Sequence, residues 1–269
     1  MKTKFTAAAS LTGIASIICM AFVAPIADTT TKPEVPGAEK PTIVLVHGAF
    51  ADGSSWNKVI PILQKKGYKT IAVQNPLTSL DDDVAFTNRA LAEVEGKAVL
   101  VGHSYGGVVI TQAGNNDKVT SLVYVAAYAP GDGQSIEDIE KDAHEVKNIP
   151  RVPGLAAPIV DGGFIRMKDE DVVKYFAQDL PEQEARLIAA GQGRFHISCI
   201  QAKVSNPAWK NKPSFFVVAG NDQIISPGIE RQAAKTIGAT TMEVPASHVA
   251  MLSQPEKVAE MILRAAALK

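Results

Sequence analysis

The sequence predicts an α/β fold: a mainly parallel sheet of about six strands flanked by helices, with a helical cap insertion before the last two strands. Short β-branched runs alternate with longer segments of helical period, as parallel strands joined by crossover helices require. The runs are apolar without alternation, as expected of strands buried on both faces. The stretch from Pro130 to Lys212 breaks this pattern and is too long for a plain connection in a compact domain.

The bulk numbers agree with one core and one excursion. The chain has 269 residues, of which 46% are hydrophobic and 20% charged, which excludes a disordered chain. The formal net charge is −1, and no basic block interleaved with aromatics is present, so nucleic acid is excluded as a partner.

Lys2 and Lys4 precede an apolar, small-residue stretch from Ala7 to Ala27, the pattern of a secretory signal peptide over residues 1–27 and of an exported protein, periplasmic or secreted. Its length leaves an uncleaved membrane anchor as the alternative. Cys19 follows Ile17 and Ile18 rather than small residues, which argues against a lipoprotein site. Removal of the signal leaves Cys199 alone, so no internal disulfide staples the mature chain. Residues 28–40, rich in Thr, Pro and Glu, read as a solvated linker.

The core is expected over residues 41–129 and 213–269, and the cap over 130–212. Strands are expected at Thr42 to Val46, Lys69 to Val73, Ala98 to Val101, Val119 to Val125, Ser214 to Ala219 and Thr240 to Val244. Helices are expected at Trp56 to Lys66, closed by Gly67, and after Ser79, whose first turn carries Asp81, Asp82 and Asp83. Others fall at Tyr105 to Ala113, Ile229 to Ile237 and Glu256 to Ala267. Inside the insertion, Lys168 to Gln178 and Pro181 to Ala190 are helix-like, and Gly and Pro clusters separate the pieces. The insertion is expected over the carboxyl ends of the strands, where open α/β sheets bind ligands.

Gly102-His103-Ser104-Tyr105-Gly106 carries the strongest chemical signal, because it follows a strand and opens a helix. Such a strand-turn-helix elbow exposes a serine oxygen at a helix head, whose partial positive charge favours an oxyanion. Ser104 is therefore the candidate nucleophile. Two N–H donors are needed for the oxyanion, and Tyr105 and Ala49, the latter in His47-Gly48-Ala49 after the first strand, can supply them from the backbone. His47 itself reads as a histidine that orders this loop.

The chain has five histidines, and His248 alone lies between the final strand and the final helix, where the order serine, acid, histidine places the base. His103 reads as a packing residue; His144 and His196 fall in the insertion. Asp222, in Gly220-Asn221-Asp222 at a strand's carboxyl end, is the candidate acid, with Asp132 in a Gly-Asp-Gly turn as rival. Aromatic residues of the insertion and its neighbours are candidate walls of an apolar pocket: Phe164, Tyr175, Phe176, Phe195 and Trp209, with Phe50 and Tyr128 nearby. Among these Phe50, Tyr128, Phe164 and Phe195, together with His196, are the candidate substrate contacts. No His/carboxylate pair has metal-ligand spacing, and the glycines lack the P-loop lysine and the full dinucleotide fingerprint, so neither metal nor cofactor is expected. Nothing in the sequence fixes an oligomeric state.

These residues resemble the α/β-hydrolase superfamily, and within it the branch of plant methylesterases of the salicylate-binding type and hydroxynitrile lyases, with their bacterial esterase relatives. The resemblance spans nearly all of Pro41 to Lys269. It is specific at His47-Gly48-Ala49, at Gly102 to Gly107, at Ala219-Gly220-Asn221-Asp222 and from His248 to Pro255. It implies a cofactor-free esterase with Ser104, Asp222 and His248 as triad and Ala49 and Tyr105 as oxyanion donors, acting on a small-molecule ester. The lyases carry a threonine where Gly48 stands and a lysine where Val249 stands, which favours hydrolysis here. Three readings remain: a serine esterase or lactonase, a C–C lyase, and a ligand-binding protein that turns over slowly.

Overall fold

The computed structural model describes residues 40–268, so the signal-peptide reading and, apart from Lys40, the linker reading fall outside the described residues. The first half of the core runs β1 (Thr42–Val46), α1 (Ile60–Lys65), β2 (Thr70–Val73), α2 (Leu80–Glu93), β3 (Ala98–His103), α3 (Gly106–Ala113) and β4 (Val119–Val125). The insertion contains α4 (Ile136–Lys141), β5 (Ile159–Asp161), β6 (Phe164–Arg166), α5 (Asp169–Asp171), α6 (Glu182–Gly191), β7 (Phe195–His196) and α7 (Ser198–Gln201). The core resumes with β8 (Ser214–Ala219), α8 (Pro227–Thr236), β9 (Thr240–Val244), α9 (Ala250–Ser253) and α10 (Pro255–Ala266).

Six strands form one parallel sheet in the order β2-β1-β3-β4-β8-β9. Every residue of β1, β3 and β8 is buried, which explains their unbroken apolar runs. Helix α2 starts where its sequence dictates: Ser79 is extended and its hydroxyl accepts the Asp82 N–H at 3.1 Å, while Asp81, Asp82 and Asp83 occupy the positive first turn. The helix expected from Trp56 divides instead into a 3₁₀ turn, Gly53–Trp56, and α1. Asp52 caps that turn by accepting the Ser54 N–H at 2.7 Å, and Pro61 sits in the first turn of α1, where a proline starts a helix rather than continues one.

The insertion is not purely helical. It carries a three-stranded antiparallel sheet, β5-β6-β7, whose strands of two or three residues are too short to leave a period in the sequence. Helices α4 and α5 each run on into a π-helical turn, Asp142–Val146 and Val172–Phe176. Among the described residues, no helix is long and apolar enough to cross a membrane.

Just beyond the carboxyl ends of β1 to β4 the chain bends through a non-glycine residue with positive φ: Phe50 (59°), Leu77 (60°), Ser104 (55°) and Ala126 (45°). Each such residue costs of order 1 kcal/mol, a strain that persists only where surrounding packing enforces it. Their concentration on one edge of the sheet marks that edge as the functional one.

Candidate active site

Ser104 occupies the turn between β3 and α3 and is 5% exposed. Its N–H lies 3.2 Å from Val125 O and 3.1 Å from Ala126 O, which fixes the strained backbone against the end of β4. A Cβ on Gly106 would lie 2.5 Å from Val46 O, so only glycine lets α3 pack this closely on β1 and bring the serine to the sheet edge. The N–H groups of Ala49 and Tyr105 donate to no acceptor among the described residues. With Ser104 they line one cavity.

His248 and Asp222 meet as the sequence suggests: the imidazole Nδ1 donates to Asp222 Oδ2 at 2.6 Å, and both side chains are fully buried. The other carboxylate oxygen accepts the N–H groups of Ile224 at 2.6 Å and Ile225 at 3.0 Å, so Asp222 is immobilised on both sides. His248 Nε2 is buried and has no hydrogen-bond partner. Asp132 lies elsewhere, on the surface, accepting from Asn206 N–H and Lys210.

Of two neighbours of this pair, His103 has the packing role read from the sequence, and Glu230 escaped that reading. His103 packs its ring against that of His248, centroids 4.6 Å apart, and its Nε2 donates to the His248 carbonyl at 2.9 Å. Burial, and then the proximity of His248, hold its pKa well below the ordinary value, so it positions the loop without adding charge. Glu230, fully buried on α8, accepts the Ala219 N–H at 2.9 Å. Burial and then the Asp222 charge push its pKa well above the usual carboxylate range, so the neutral acid is favoured beside Asp222. A glutamate three residues into an amphipathic helix gives no sequence signal of such burial.

His47 has the ordering role read from its position. Its Nδ1 donates to Gly48 O and its Nε2 accepts the Asn75 N–H, both at 2.9 Å. Burial lowers its pKa, which suits this neutral tautomer.

The cavity above Ser104 has a volume of about 180 Å³. Phe50, Tyr128 and Phe195 line it as expected, joined by Ile136, Leu155, Pro158, Ile165, Ile200 and Ile224. Phe164 and His196 do not line this cavity. In the short sheet Ile165 pairs with Phe195 and Phe164 with His196, so the first pair enters the cavity and the second occupies the opposite face. There Phe164 and His196 pack edge to face at 4.8 Å, and His196 Nδ1 lies 2.8 Å from the Ser198 hydroxyl, which donates to Thr78 O. The two-residue period, once the strands were known, would have separated them.

The insertion also grips the loops that carry His248 and Asp222. Phe176 packs edge-on against His248 at 5.0 Å, Gln178 donates to Asn221 O at 2.8 Å, and Asp179 accepts the Ser247 N–H at 2.7 Å. Trp209 instead donates to Pro130 O at 2.8 Å. Among the described residues no group of three or more His, Cys, Asp or Glu side chains could hold a metal ion.

A family model described as "Alpha/beta hydrolase family" matches residues 43–261. The chain belongs to the alpha/beta hydrolase family. The pyrethroid hydrolase of Sphingobium wenxiniae is 25% identical over 246 residues, covering 82% of this chain and 85% of the relative. Methylesterase 3 of Arabidopsis thaliana is 23% identical over 253 residues, covering 84% and 96%, so the plant branch that the sequence resembles is among its relatives. The crystal structure of the pyrethroid hydrolase from Sphingobium faniae JZ-2 superposes with a TM-score of 0.68 at 24% identity, over 84% of this chain and 97% of that one, and shares the fold.

Beneath the elbow lies a buried carboxylate without a cation. Asp83 accepts the Tyr105 hydroxyl at 2.6 Å and the Leu77 N–H at 2.8 Å, and burial raises its pKa from 3.8 to about 6. Burial likewise pushes the neighbouring Cys199 thiol up to about 11, so it stays protonated. Because the folded state holds the Asp83 proton more tightly than the unfolded chain, this group's contribution to stability is present in acid and lost as pH rises from about 4 through about 6. The loss is at most roughly 3 kcal/mol. Asp83→Asn is neutral throughout, so its stability relative to wild type should improve between pH 4.5 and 7.5. Urea midpoints of both proteins at the two values check this; a constant difference would refute the protonation change.

Proposed function

We propose that the protein is a serine carboxylic ester hydrolase that cleaves a small, neutral, largely apolar ester or lactone through an acyl-enzyme. The observation that carries this reading is the single cavity in which Ser104 lies with two unengaged backbone N–H donors, walled by apolar side chains. The immobilised Asp222–His248 pair and the relatives named as a pyrethroid hydrolase and a methylesterase support it.

Ser104 Oγ attacks the ester carbonyl carbon while His248 Nε2 takes the hydroxyl proton, and Asp222 stabilises the resulting imidazolium through Nδ1. The carbonyl oxygen becomes an oxyanion held by the N–H groups of Ala49 and Tyr105. Collapse expels the alkoxide, which leaves as an alcohol with the proton from His248. Water activated by His248 then adds to the acyl carbon, releasing the acid and Ser104. His248 Nε2 has no hydrogen-bond partner among the described residues, so the Ser104–His248 hydrogen bond is one that must form when substrate is bound.

Gly48 and Val249 fit hydrolysis better than cyanohydrin cleavage. A Cβ at position 48 would lie 2.6 Å from Ser104 Cβ, so the wall beside the nucleophile is backbone and offers no hydroxyl. Val249 is 1% exposed and brings no cation to stabilise a departing anion. The test is a rate panel of neutral aryl, alkyl and lactone esters beside mandelonitrile. Ester hydrolysis is expected without cyanide release above background; cyanide release with no ester cleaved would reverse the assignment.

A further inference from the structure

The cavity above Ser104 and a second cavity of about 100 Å³ share one wall. The second lies between the α4 segment and α8, with Ile139, Ala143, Ile149, Ile229 and Ala233 among its lining residues. Tyr128 alone lines both. Its side chain is not free to swing: the hydroxyl donates to Glu140 Oε1 at 2.6 Å. Glu140 Oε2 in turn meets His144 Nε2 at 2.8 Å, and His144 Nδ1 meets Ile149 O at 2.6 Å. Burial, then the Glu140 carboxylate, raise the phenol pKa well above its ordinary value, so the hydroxyl remains a donor.

We propose that Tyr128 is a specificity-determining partition, which limits the length of the straight apolar chain that an ester can place beside Ser104 by closing off the second chamber. The inference rests on the ester-hydrolase reading. The bond to Glu140 satisfies a buried hydroxyl, as a buried tyrosine requires, and also fixes the direction of the ring. The three-residue anchor fixes the hydroxyl end of the ring, and the chamber behind it can take methylenes along its aliphatic side, the rest of its wall including Gln134, Asp142, Lys147, Gln232 and Thr236.

The experiment measures kcat/KM for p-nitrophenyl esters from acetate to decanoate and reads the ratio of long-chain to short-chain activity. In wild type the ratio should fall once the chain fills the first cavity. In Tyr128→Ala it should rise, by about fourfold for each methylene that gains burial in the second chamber. Tyr128→Phe keeps the ring and loses the anchor, so its ratio should lie between the two. Ala233→Leu fills the far chamber; alone it should leave the wild-type ratio unchanged, and combined with Tyr128→Ala it should return the ratio toward wild type. A Tyr128→Ala ratio equal to wild type, or one that Ala233→Leu does not reverse, would overturn the partition. Should Tyr128→Ala fail to fold, an unchanged ratio in Tyr128→Phe would do so. If wild type cleaves none of these esters, the hydrolase reading fails. The partition is then judged by calorimetric binding of n-butanol and n-octanol, where equal discrimination in wild type and Tyr128→Phe counts against it.

Discussion

Ser104→Ala is expected to lower ester turnover by a factor on the order of 10⁴ to 10⁶, the size of effect found when one member of such a catalytic unit is lost. The fold should survive, because alanine keeps the Cβ and the backbone that bonds to Val125 and Ala126. Removing the hydroxyl also unpairs no further buried polar group, since His248 Nε2 already lacks a partner among the described residues. Matching thermal unfolding curves, loss of rate and loss of fluorophosphonate labelling at residue 104 are the expected set. Labelling at a different residue, or a variant that retains turnover, would place the nucleophile elsewhere.

Asp222→Asn should cost about 10⁴ in kcat by a different route. The asparagine oxygen can still accept the N–H groups of Ile224 and Ile225, so the local turn is preserved. Its amide nitrogen then faces His248 Nδ1, which must accept rather than donate, and the imidazole proton moves to Nε2. A protonated Nε2 cannot take the serine proton. The double variant with Ser104→Ala should be no slower than Ser104→Ala alone, because the two residues act as one unit. A loss of less than tenfold in Asp222→Asn would mean that another acid orients His248.

The central strands β1, β3 and β8 were legible because they are buried on both faces, whereas the edge strands β2 and β9 are partly buried or exposed and were read from their β-branched residues. Four of the six, β1, β4, β8 and β9, have the bounds expected from sequence. Ser104, Asp222 and His248 were legible for a related reason: each follows a recognisable strand, and strand ends in a parallel sheet share one edge. The cavity walls were not. Ile136, Leu155, Pro158, Ile200 and Ile224 come from loops and short elements whose apolar residues carry no period. Phe164 and His196 were misplaced because a strand of two or three residues gives no phase from which to tell its faces apart. Glu230, and the partner against which His103 packs, needed the third dimension, since the neighbours lie 11 and 145 residues away along the chain.

The grip of Phe176, Gln178 and Asp179 on the loops of His248 and Asp222 bears on recombination between relatives. A chimera with junctions at 130 and 212 exchanges the lining of the cavity together with the seating of His248, so under the proposed mechanism selectivity and catalytic rate are expected to change in one step. Keeping residues 176–179 from the recipient separates the two, and leaves Ile136, Leu155, Ile165 and Phe195 as the exchangeable surface.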